Sequence, residues 1–70
     1  MNPNALLALI KLRGFSMNNF LTAIQMPSST WSKKIRGISE FTRADICSII
    51  HVLAMNNEEV MDIFFNQKVS

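Results

Sequence analysis

Apolar residues in this 70-residue chain recur three and four positions apart, and no segment alternates apolar and polar residues as a half-buried strand does. The first run, with Leu6, Leu9 and Ile10, follows Asn2-Pro3, a pair that commonly starts a helix. Glycine and proline number two each, so the connections between elements must be short. The pattern predicts one all-α domain over residues 1–70, built from five short helices around one core.

Capping and breaking residues predict where each helix begins and ends. The expected helices run from about Pro3 to Arg13, Met17 to Ile24, Ser28 or Ser29 to Ile35 or Arg36, Thr42 to about Leu53, and Asn57 to Phe64 or Phe65. Pro27 disfavours a helical conformation at Met26, so Gln25-Met26-Pro27 is expected to form the turn between the second and third helices. The second helix is expected to face the core through Phe20, Ala23 and Ile24.

The charges of the chain divide near its midpoint. Residues 1–36 contain five basic residues and no acidic residue, which gives +5, whereas residues 37–70 contain two basic and five acidic residues, which gives −3. The basic residues of the first half lie in or beside the second and third helices. This distribution favours one face that binds a polyanion.

The sequence offers no pattern for catalysis, a metal or a cofactor. His51 has no metal-binding partner in the sequence pattern, and the single cysteine, Cys47, can form neither an internal disulfide nor a zinc site on its own. No nucleophile–base set or pair of carboxylates suggests an active site, so we do not expect an enzyme. The apolar run from Ala5 to Ile10 is too short to span a bilayer, and one free cysteine fits a reducing cytoplasm.

A set of residues along nearly the whole chain carries a family resemblance. It comprises Leu6, Leu9, Arg13-Gly14-Phe15-Ser16, Phe20, Ile24, Met26, Trp31, Ile35, Arg36-Gly37, Phe41-Thr42, Ile46, Ile49, Leu53, Asn56 to Val60, and Phe64-Phe65. In this order and spacing the set resembles the lambda-repressor-like (Cro/CI, XRE-type) helix-turn-helix family, in particular its small phage and prophage members. The resemblance implies a Cro-like or repressor-like transcription regulator that binds operator DNA in the cytoplasm of a bacterial host cell. Because 70 residues leave no room for a separate oligomerisation domain, we expect any homodimer to form through the fifth helix, with Phe64 and Phe65.

The resemblance also implies which residues contact double-stranded DNA. They are Ser28, Ser29, Ser32 and Lys33 in the major groove, Lys34, Arg36 and Lys11 on phosphates, and Thr42 and Arg43 at the start of the fourth helix, where backbone N–H groups can meet a phosphate. Trp31 and Ile35 would form the buried face of the third helix. Without the resemblance, the same polar residues would describe an ordinary solvated helix surface.

Three departures from the family pattern raise an alternative. Many members carry Gln where Met17 stands, a small Ala at Leu21, and an Arg–carboxylate pair at Ile10 and Ile35. The two isoleucines are expected to touch in the core in place of that ion pair. Met17 and Leu21 lie one helical turn apart, and with Trp31 they could instead bind another protein. The alternative function is an antirepressor that binds a partner repressor rather than DNA.

Overall fold

The computed structural model describes residues 1–65, and five α-helices without a strand make up this range. They are α1 (Pro3–Leu12), α2 (Met17–Ile24), α3 (Ser28–Ile35), α4 (Arg43–Leu53) and α5 (Asn57–Phe64). The expected all-α class is confirmed, and each helix boundary lies within one residue of its expected position. No helix of the described range combines the length and apolar character that crossing a membrane requires.

Local capping explains why these helices are short and sharply bounded. The side chains of four residues cap helices at their N-termini by accepting a backbone N–H: Asn2 for α1, Ser16 for α2, Thr42 for α4 and Asn56 for α5. The first four helices each end at a residue with a positive φ angle: Gly14, Gln25, Gly37 and Ala54. After each of these residues, the next N–H donates to a carbonyl five residues back, which closes the helix end.

The core lies between all five helices, with α2 packed against α4 and α1 against α5. Its buried side chains are Leu6, Leu9, Ile10, Phe20, Leu21, Met26, Trp31, Ile49, Leu53, Met55 and Ile63. Ile10 is buried and Ile35 is half-buried against this cluster, and the expected direct contact between the two side chains stays a prediction. Met26 of the α2–α3 turn is buried as well and fills the angle between the two helices.

The buried face of α2 differs from the expected one. Ala23 is exposed, whereas Leu21 is only 6% exposed and belongs to the core. The helix is rotated so that Phe20 and Leu21 face the core, with Ile24 half-buried beside them. Burying leucine removes far more apolar surface from water than burying alanine, and this difference favours the observed rotation.

Candidate nucleic-acid interface

A row of aromatic rings fixes the orientation of α3. Trp31 is 5% exposed, and its ring packs edge-on against Phe20 of α2 at 5.4 Å and against Phe41, just before α4, at 5.5 Å. Phe15 extends the row by packing edge-on against Phe20 at 6.2 Å. Edge-to-face pairs at these separations are favourable, and here they connect α3 to the elements on both sides of it. The Trp31 side of α3 is therefore held against the core.

The opposite side of α3 is polar, basic and accessible. Ser28, Ser29, Lys33 and Arg36 are exposed, and Ser32 is half-buried. Three of the four residues expected in the major groove are thus exposed on one short, well-anchored helix, and Arg36 follows at its C-terminal cap. No acidic residue lies anywhere in this helix.

The N-terminus of α3 differs from those of the other helices. Its cap position is Pro27, which provides no side-chain hydrogen bond, and its first turn contains no acidic residue. An open groove beside this end is lined in part by Asn18 and Thr22 of α2, together with Gln25 and Ser28. Neither Asn18 nor Thr22 stands out in the sequence, because each is simply a polar residue on a helix surface until the fold places it beside Ser28.

Lys34 differs from the other basic residues near α3, because it forms an ion pair. Its ammonium group bonds to the carboxylate of Asp45 at the start of α4, and its side chain is only 13% exposed. Burial acts to raise the pKa of Asp45, but the hydrogen bonds from Lys34 and from the backbone N–H of Thr42 outweigh it and hold that pKa below the ordinary value of 3.8. The charge of Lys34 is thus neutralised in the free protein, because α3 ends facing the first turn of α4, and the expected phosphate contact of Lys34 stays a prediction that requires this pair to open.

Asp45 also forms a capping box with Thr42. The backbone N–H of Thr42 donates to Asp45 at 3.0 Å, and the Thr42 hydroxyl accepts the backbone N–H of Asp45 at 3.1 Å. In this closed capping box the backbone N–H of Thr42 is occupied, whereas its exposed hydroxyl, which accepts from Asp45, keeps its own proton to donate, so the expected phosphate contact of Thr42 stays a prediction that rests on that hydroxyl. Arg43, one position further on, stays exposed.

Arg13 forms a second link between the basic and acidic halves. One terminal nitrogen donates to both carboxylate oxygens of Glu59, at 2.8 and 2.9 Å, and Nε donates to the carbonyl oxygen of Leu53 at 2.9 Å. Glu59 also accepts the backbone N–H of Asn56, which together with Arg13 lowers its pKa below the ordinary 4.5. Arg13 therefore ties the end of α1 to the end of α4 and the start of α5.

The two ion pairs determine which basic side chains remain available to bind a polyanion. Within residues 1–65, four exposed basic side chains have no acidic partner within ion-pairing distance: Lys11, Lys33, Arg36 and Arg43. Two of them belong to the exposed side of α3 or to its C-terminal cap. The basic surface is thus smaller than the charge of the first half suggests, and it is concentrated around α3.

The apolar surface expected around α2 is absent. Leu21 and Trp31 are core residues, and Met17 alone remains accessible, at 36% exposure. The expected partner-binding patch of Met17, Leu21 and Trp31 is therefore corrected, because two of its three members hold the fold together. Exposed large apolar side chains lie elsewhere: they include Leu12 at the end of α1, Ile38 after α3, and Met61 and Phe65, which lie one turn apart on α5 and just after it.

Comparisons of the chain with protein-family models, with curated proteins and with solved structures gave no significant match. The features of this chain that bear on function are therefore the α2–α3 arrangement and the charges that surround it.

Proposed function

We propose that this protein is a lambda-repressor-like helix-turn-helix regulator, of the Cro-like or repressor-like type that phages and prophages encode, and that it binds operator DNA through α3. The observation that carries this proposal is the two-sided character of α3. Trp31 anchors one side among aromatic rings, and the other side presents serines and unpaired cations to solvent. A rigid helix with a polar, basic outer face is what the major groove of DNA accepts.

The side chains on and near α3 suggest which residues contact DNA bases and which contact phosphates. Lys33 can donate to O6 and N7 of guanine, whereas the Ser28 and Ser29 hydroxyls can donate to or accept from base edges or phosphates. Serine side chains are short, so they allow the helix backbone to lie deep in the groove. Arg36 and Arg43 are suited to phosphates, which position the protein without specifying sequence. In this arrangement Lys11 supplies a further phosphate contact from α1.

We infer that the regulator acts as a homodimer on symmetric half-sites, in the cytoplasm of a bacterial host cell. The surface that supports a dimer lies at α5, where Phe64 is half-buried and Phe65 is 53% exposed. Met61 extends this apolar surface by one turn toward the start of the helix. A second copy with the same surface would cover these side chains through a two-fold axis.

The test is binding to the DNA that flanks the gene for this protein, compared with a scrambled duplex of the same length and composition. We expect at least a 1,000-fold preference for the specific site, the low end of about 10³–10⁷ for such regulators. The double variant Lys33→Ala/Arg36→Ala should lose this binding, whereas the matched variant Glu58→Gln, an exposed change on α5, should keep it. Equal affinity for both duplexes, or no binding even at low salt, would refute the proposal.

A further inference from the structure

The outer face of α4 carries the only cysteine and the only histidine of the chain. Cys47 and His51 are both exposed, and they lie four residues apart within α4. The opposite face of the same helix is buried through Ile49 and Leu53. The two side chains therefore share the solvent side of one helix, one turn apart, and neither belongs to the proposed DNA-binding surface.

This spacing suits a single metal ion. Residues four apart on a helix have Cβ atoms about 5–6 Å apart, and a helical side chain leans toward the preceding turn, so His51 leans over Cys47. A thiolate and a neutral imidazole are both zinc ligands, and two ligands at this spacing on one helix face can bind the same zinc ion.

One chain supplies only half of the ligands that zinc requires in a closed site. Within residues 1–65 no group of three or more His, Cys, Asp or Glu side chains could hold a metal. Ala44, three residues before Cys47 on this face, is small and exposed. The exposed Arg43, one turn before Cys47, has a long, flexible side chain that can turn aside, so a second α4 can approach closely enough to bring a second Cys–His pair to the same ion.

We propose that Cys47 and His51 bind Zn²⁺ together with the same two residues of a second copy of this chain. The four ligands would form a two-fold symmetric, tetrahedral Cys₂His₂ site between two α4 helices. Each thiol releases its proton to solvent as its Zn–S bond forms, and each imidazole binds in its neutral form. The face of a single 11-residue helix is small for a stable interface, so the metal supplies the affinity and the assembly depends on it.

The experiment adds ZnCl₂ to the protein in the presence of a phosphine reductant, which prevents a Cys47–Cys47 disulfide, and follows mass by sedimentation equilibrium. We expect Zn²⁺ to at least double the mass of the species present without metal, since a dimer joined through α5 would offer two α4 faces, with a plateau at one Zn²⁺ per two chains and reversal by EDTA. Co²⁺ in place of Zn²⁺ should give the thiolate charge-transfer band and the intense visible bands of tetrahedral coordination. The thiolate band can come only from Cys47.

Three variants make the assignment specific. Cys47→Ser and His51→Gln should each abolish the Zn²⁺-dependent doubling while leaving the helical circular dichroism unchanged, because both side chains are exposed. Glu58→Gln, which removes an exposed carboxylate from α5, should behave as the parent protein does. The proposal is overturned if Zn²⁺ leaves the mass unchanged, if it saturates at one ion per chain without association, or if Cys47→Ser still associates.

Discussion

Four helices of this protein end at a residue with a positive φ angle, and two of those residues are not glycine. Gln25 has a φ of 57° and Ala54 a φ of 50°, in the left-handed region that a Cβ atom disfavours. Gly14 and Gly37 occupy the equivalent positions after α1 and α3 without that penalty. The chain therefore holds backbone strain at the ends of α2 and α4, where a single substitution can relieve it.

We expect Ala54→Gly to raise the free energy of unfolding by about 0.5–1 kcal/mol. The left-handed conformation costs a residue with a Cβ roughly 1–2 kcal/mol, and glycine removes this cost. The greater conformational freedom of glycine in the unfolded chain offsets about 0.5–1 kcal/mol of that stabilisation. Gly37→Ala is the matched reverse change: no atom lies within 4 Å of its added Cβ, so only backbone strain should destabilise it. Urea unfolding followed by circular dichroism measures both, and a less stable Ala54→Gly protein would contradict this account.

Lys33 and Arg36 test the division between base and phosphate contacts. We expect Lys33→Ala to reduce discrimination between operator and scrambled DNA by roughly 1–3 kcal/mol, the range for a base-edge contact. Arg36→Ala should weaken binding to both duplexes by the same factor. Fluorescence anisotropy with the two duplexes separates these outcomes, and equal losses for Lys33→Ala would mean that this lysine contacts only phosphate.

At the scale of elements, two carboxylates each perform two structural functions. Asp45 and Glu59 occupy the third positions of α4 and α5, where each closes a capping box. Each also binds a cation from the first half of the chain, Lys34 for Asp45 and Arg13 for Glu59. The start of each acidic helix is thus fixed to the basic half by the same side chain that caps it.

This double function predicts a loss of stability in acid. Because the folded-state pKa values of Asp45 and Glu59 lie below their ordinary values of 3.8 and 4.5, their stabilisation is fully present above about pH 5. It is lost as the pH falls below these ordinary values and through the lower folded-state values. The urea midpoint measured between pH 6 and pH 3 should therefore fall steeply below about pH 4.5.

Neutral variants provide the control for the acid dependence. Asp45→Asn and Glu59→Gln should each be less stable than the parent at pH 6, with a shallower decline below pH 4.5. Glu58→Gln changes a neighbouring carboxylate of α5 that makes no ion pair within residues 1–65, and it should keep the parent profile. If Glu58→Gln flattened the profile as much as Glu59→Gln, the decline would reflect general charge rather than these two contacts.

The helices were predictable from sequence because their causes are local. Asn2, Ser16, Thr42 and Asn56 each act within three residues of their own position, and apolar spacing identifies a helix face within two turns. The ion pairs were not predictable in this way, since Arg13 and Glu59 are 46 residues apart in the chain. The rotation of α2 that buries Leu21 also depends on where α4 lies. Sequence places Ser28, Ser29 and Lys33 on the accessible side of α3, with Arg36 at its cap, but it could not show that Lys34 and Thr42 both bond to Asp45 at the start of α4.

At the scale of the whole molecule, folding redistributes the charge that the sequence shows. The two ion pairs neutralise two of the five cations in residues 1–36, so the division into +5 and −3 overstates the field around the folded protein. Three cations of that half, Lys11, Lys33 and Arg36, stay unpaired within residues 1–65. Of these, the two from the α3 region lie beside the exposed serines. A polyanion that binds this protein would therefore contact a small basic surface rather than half of the molecule.

This redistribution predicts how DNA binding depends on salt. The logarithm of the association constant should fall linearly with the logarithm of salt concentration, with a slope of about −0.9 for each phosphate neutralised. With the available cations Lys11, Lys33, Arg36 and Arg43, the slope should lie between about −2 and −4 for each bound domain. Arg36→Ala should make the slope less negative by about 0.9, whereas Lys34→Ala should leave it unchanged, because Asp45 already neutralises Lys34.

Anisotropy titrations at several salt concentrations, below the unfolding temperature of each variant, measure these slopes. A slope near zero would show that phosphates do not contribute, and an equal change for Lys34→Ala and Arg36→Ala would show that the Lys34–Asp45 pair opens when the protein binds DNA.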